Sequence, residues 1–89
     1  MSPTAIEAEI LRQVQARGPT ASICPSEVAR ALAPGAGGEW RSQLGAVRRA
    51  AIYLARAGRI EILRKGRPVD PQQEIRGVIR LRAKVEEAS

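Results

Sequence analysis

Arg41, Ser42, Arg48, Arg49, Arg56, Lys65 and Arg67 are the side chains whose types and spacing could do chemistry. Arginine carries a planar fork of donors that matches a phosphate or the O6/N7 edge of guanine. Ser42, Arg49 and Arg56 stand seven apart, two helical turns, and so would share one outer stripe of a helix. On that stripe Arg49 could read guanine, and Ser42 could bond a phosphate or a base. Arg41 and Arg48 would sit on its flank. Lys65-Gly66-Arg67 has the make-up of an exposed turn tip, suited to phosphate or a minor groove. These seven are the candidate contacts to double-stranded DNA.

The charge around them is uneven. Residues 40–82 hold eleven basic and three acidic side chains, a surplus of eight, whereas the whole chain nets +6. Phosphate attraction needs such a cluster on one face. The plainer explanation is that these charges solvate a helix and an exposed hairpin. Thirteen of the fifteen cations are Arg, a bias that a GC-rich genome would also produce.

Other chemistries have little to stand on. With no His and one Cys, the chain offers no internal disulfide, no Cys/His zinc site and no Cys/His nucleophile pair. Pro34-Gly35-Ala36-Gly37-Gly38 is Gly-rich but lacks the downstream Lys-Ser/Thr of a phosphate-cradling loop. The expectation is therefore no enzyme, with no catalytic, cofactor-binding or metal-binding residue. Cys24 reads as a small structural thiol, with a redox-sensing role as the lesser alternative. Met-Ser-Pro-Thr is not the start of a signal peptide, and no apolar run reaches the roughly twenty residues of a membrane span. A cytoplasmic protein is expected, without membrane contact.

The elements that must position the cations are set by periodicity. Thr4 and Glu7 fit a capping box. Ile6, Ile10, Leu11 and Val14 mark the inner face of a first helix over about 5–17, stopped by Gly18-Pro19. An extended link over 20–23 leads to Cys24-Pro25-Ser26-Glu27, which opens a second helix with Val28, Ala29 and Leu32 inside. The third helix, about 40–57, should bury Trp40, Leu44, Val47, Ala51 and Leu54. Ile52 and Tyr53, on its far side, would tuck under the hairpin, and Gly45 would permit close approach of another backbone. After Gly58 the period falls to two. Ile60 and Ile62 read as a strand, 65–71 as a turn with Asp70 as its cap, and 78–82 as a partner strand with Ile79 and Leu81 inward.

The fold class is thus α+β, mainly α: a winged helix-turn-helix of three helices and a small antiparallel β-hairpin wing. One domain spans 4–82, and 83–89 reads as a frayed tail. In this arrangement the third helix and the wing are the elements that meet DNA.

Two motifs carry a resemblance. Ile23-Cys24-Pro25-Ser26-Glu27-Val28-Ala29-Arg30, and Gly58-Arg59-Ile60-Glu61-Ile62 followed by Lys65-Gly66-Arg67-Pro68-Val69-Asp70-Pro71, resemble a small family of bacterial domains of unknown function. Trp40-Arg41 and Val47-Arg48 also fall where that family places them, so the match runs over about 6–82. The resemblance implies a winged helix and supplies no activity. DNA binding, with a role in transcriptional regulation, is the first functional expectation. A protein-interaction module or homodimer, using Ile52 and Tyr53, is the second.

Overall fold

The computed structural model describes residues 3–33 and 39–84. The Gly-rich loop 34–38, and residues 85–89 of the expected frayed tail, lie outside the described residues. Helix α1 runs Pro3–Arg17, strand β1 Ser22–Ile23, α2 Pro25–Leu32 and α3 Trp40–Arg56. Strands β2 (Ile60–Arg64), β3 (Arg67–Pro68) and β4 (Arg80–Ala83) complete the chain. The class is α+β with helices dominant.

Helix α1 begins at Pro3, which places Thr4 inside the first turn. Thr4 is therefore not the N-cap, and the expected Thr4–Glu7 capping box is not the start of this helix. Proline suits a first turn, where its missing N–H would have no intrahelical partner. Gly18 closes the helix as expected, with φ +84° and its N–H donating to the Val14 carbonyl at 3.1 Å. Along α1, the Arg12 guanidinium hydrogen-bonds Glu9 and holds its carboxyl below the ordinary value.

The capping box falls at α2 instead. The Cys24 N–H donates to Glu27 Oε2 at 2.7 Å, while Glu27 Oε1 accepts from Arg17 Nη2 at 2.6 Å. One carboxylate thus starts α2 and ties it to the end of α1. Glu27→Ala should cost about 1 kcal/mol, the usual worth of a cap. Glu27→Gln should lose less, because Gln keeps the cap acceptor and gives up only a partly exposed ion pair. Equal losses in paired urea titrations would contradict this division.

The strands form one antiparallel sheet in the order β1-β4-β2-β3. It is larger than the two-strand hairpin expected, because the link before α2 joins it as β1 and the chain after the turn adds β3. Lys65 and Gly66, with φ +53° and +78°, make the two-residue turn between β2 and β3; positive φ at both central positions matches the strand twist. Ile23, Leu81 and Ile62 lie in one row across β1, β4 and β2. All three are buried, as period-two alternation requires of the covered face. On the other face Glu61 pairs with Arg82, and Arg80 reaches Ser22.

The core is aliphatic: Ile6, Ile10 and Val14 of α1, Val28 and Ala29 of α2, and Val47, Ala51 and Leu54 of α3 close on the sheet. Trp40 and Leu44, expected at the bottom of this core, are only half-buried. They pack against its edge and line an open apolar groove of 340 Å³ with Cys24, Pro25, Val78 and Ile79. Ala50 and Ala55, not foreseen in the core, are buried. No helix among the described residues is long and apolar enough to cross a membrane.

Candidate nucleic-acid interface

The connector 69–79 decides which cations are free. It leaves β3 and runs along α3 before β4 begins. Arg56 Nε donates to the Pro71 carbonyl at 2.8 Å. Two turns earlier on α3, Arg48 donates from Nη1 to the Gly77 carbonyl at 2.9 Å and from Nη2 to the Ile75 carbonyl at 2.6 Å. Arg48, Ile52 and Arg56 are spaced i, i+4, i+8 and so form one stripe. Ile52, in its middle, is half-buried and packs on the core, as do Val69 and Ile75 of the connector. Arg48, expected on the flank of α3, and Arg56, expected on its outer stripe, thus both bond the chain's own backbone. Asp70 caps the connector's first turn, accepting from the Gln72 N–H at 2.9 Å.

The other expected contacts separate. Ser42 Oγ donates to the Glu39 carbonyl at 2.7 Å, a local bond at the helix start. The Arg41 guanidinium lies over the Trp40 ring, 4.3 Å from its centroid. Arg30 of α2 stacks on the same ring at 4.4 Å, a contact that sequence spacing does not reveal. Arg49 is exposed, and its Nη1 lies 3.4 Å from where a Cβ on Gly45 would be. The approach that Gly45 permits is therefore that of its own helix neighbour. Tyr53 is 61% exposed rather than tucked under the hairpin; at i+4 from Arg49 it sits on the open stripe, away from Ile52.

At the hairpin tip the expected exposure is found. Lys65 and Arg67 are exposed, and their side chains make no hydrogen bond or ion pair among the described residues. Arg59 and Arg64 share that state and were not among the candidates. Alternation along β2 could have singled out Arg64: it falls on the face of Ile60 and Ile62, one step beyond the buried pair. Arg64 and Arg67 are direct cross-strand partners. The Arg64 guanidinium packs on Gly77, 3.4 Å from the position of a Cβ there. Arg48 and Arg64 thus meet at Gly77, one through its carbonyl and one against its Cα. Among the described residues no cluster of His, Cys, Asp or Glu is placed to hold a metal ion. Cys24 is half-buried and accepts a hydrogen bond from Ser26 Oγ at 3.2 Å.

The chain belongs to the DUF3253 family, described as proteins of unknown function, whose model matches residues 3–84. Membership of a small family without assigned activity is what the motifs over 23–30 and 58–71 led us to expect. No curated protein matches the chain.

Proposed function

We propose that this chain is a cytoplasmic winged-helix domain that binds duplex DNA through α3 and the β2–β3 hairpin, acting in transcriptional regulation and not as an enzyme. The element order supports the winged-helix reading, with α2 and α3 as the helix-turn-helix and the β2–β4 pair, tipped by the β2–β3 turn, as the wing. The observation that carries DNA binding is a set of exposed cations whose side chains make no hydrogen bond, ion pair or ring contact among the described residues: Arg49, Arg59, Arg64, Lys65, Arg67 and Lys84. Four of the six belong to the hairpin or its approach. A surface of uncompensated arginines attracts a polyanion and releases its counterions.

The test is a titration of the folded chain against duplex DNA at several salt concentrations. If four cations each neutralise one phosphate, log K falls against log salt with a slope near about −3.6. No binding at about 50 mM salt and tens of micromolar protein would refute the reading, because non-specific binders commonly reach that range. A second reading, a protein-interaction module, is favoured by Tyr53 at 61% and Val78 at 84% exposure. It predicts that Tyr53→Ala or Val78→Ser abolishes self-association or partner capture while DNA binding stays absent.

A further inference from the structure

We infer that this surface grips the sugar-phosphate backbone of DNA and does not read its bases, with the hairpin and not α3 as the principal contact. The inference rests on the DNA-binding reading and sharpens it. A helix that reads sequence presents three or four side chains to base edges. On α3, Arg48 and Arg56 are turned to the connector carbonyls, Arg41 covers Trp40, and Ser42 bonds the Glu39 carbonyl. On the open stripe of Gly45, Arg49 and Tyr53 the one cation without a partner among the described residues is Arg49, since Arg56, seven residues on, bonds the Pro71 carbonyl. One arginine, folded along Gly45, is too little for a base code.

The hairpin has the opposite character. Arg64 and Arg67 are paired directly across two strands, an arrangement of like charges that is unfavourable when nothing lies between them. Neither has an acidic partner among the described residues, although Glu61, one strand position from the core edge, is taken by Arg82. An anion placed between the two guanidinia removes their repulsion. Lys65 stands beside them in a turn with positive φ at both central residues, so the backbone that carries the three cations is ordered before binding. By alternation Arg64 projects to the helix side of the sheet, as Ile60 and Ile62 do, and Arg67 opposite shares that side. Three adjacent cations without a directional hydrogen-bonding partner suit phosphates, which recur on any sequence.

The experiment measures affinities of the intact chain for several unrelated duplexes of equal length, with a selection from random duplexes beside it. Wild type should bind all of them within about threefold and select no consensus, as expected for contacts made to phosphate alone. Lys65→Asn with Arg67→Gln keeps the turn, since Asn tolerates positive φ. This double variant should weaken every duplex alike and make the salt slope shallower by about 1.8. Arg49→Ala should leave the lack of preference unchanged. A consensus bound about a hundredfold more tightly than other sequences, and lost in Arg49→Ala, would overturn backbone gripping and leave DNA binding in place, since that ratio is within reach of specific base contacts. An unchanged slope in the folded double variant would overturn the hairpin's role. Absence of binding by every duplex would remove the DNA reading itself.

Discussion

Leu54→Ala is expected to destabilise the domain by about 2–5 kcal/mol, the range for emptying a fully buried leucine site. Leu54 is 1% exposed and sits where α3 meets the sheet and α1. The chain has no Phe, and its core is built from Ile, Leu, Val and Ala, so no large flexible side chain stands ready to swing into the cavity. The site collapses poorly and the cost belongs toward the upper part of the range. Small domains hold about 5–15 kcal/mol in total, and in one of this length each kcal/mol moves the melting midpoint by about 4–8 °C. Leu44→Ala, at the half-buried rim of the groove, should cost distinctly less. Thermal and urea unfolding of the two variants checks the order. A Leu54→Ala loss under about 0.5 kcal/mol would mean that the position is not buried as described.

The contrast between Leu54 and Leu44 shows how far the sequence pattern reached. The 4-3-4-3 stripe on α3 correctly placed Val47, Ala51 and Leu54 inside, because period alone identifies a face. It could not say that the face ends before Trp40, because that depends on where α2 and the 77–79 segment stop covering α3. The period change after Gly58 located β2, and alternation put Ile79 and Leu81 inside with Arg80 and Arg82 outside. Strand β3 was hidden because two residues, one of them Pro68, carry no alternation. Strand β1 was read only as an extended link, since its pairing with β4 joins residues about sixty apart in the chain.

The candidate site divides in the same way. Lys65 and Arg67 were readable because turn chemistry is local: Gly66 demands positive φ and exposes its neighbours. The hydrogen bonds of Arg48 and Arg56 were not legible because their partners are backbone carbonyls, which have no signature in the sequence. A carbonyl at 71, 75 or 77 looks the same whatever the side chain. What places it beside α3 is the path of the connector, drawn in by Val69 and Ile75 packing on the core. Uneven charge therefore located the basic half of the molecule, and only tertiary structure separated the cations bonded within the fold from those whose side chains have no partner among the described residues.

Arg48 supplies the second large effect. Its two donors serve the Gly77 and Ile75 carbonyls at 2.9 and 2.6 Å, and a hydrogen bond to a charged group is worth about 1.5–3 kcal/mol. Water can reach these carbonyls once the guanidinium is gone, so the sum for Arg48→Ala should fall near about 2–3 kcal/mol rather than twice the single value. The discriminating variant is Arg48→Lys. Lysine keeps the charge but is a compact ammonium on a flexible stem, without the rigid fork that spans two carbonyls. If Arg48 is a staple for the connector, Arg48→Lys should lose most of the stability that Arg48→Ala loses. Amide exchange should then quicken over 75–79, and duplex affinity at a temperature where both variants are folded should stay close to wild type. If Arg48 were a phosphate contact, the pattern would reverse: Lys would preserve affinity, Ala would weaken it, and neither would change the unfolding midpoint by more than a surface substitution does. Hydrogen exchange and salt-dependent titration of the two variants distinguish these outcomes. A wild-type-like midpoint for Arg48→Ala would show that the connector keeps its place without the arginine, and the flank of α3 would then be open to a partner.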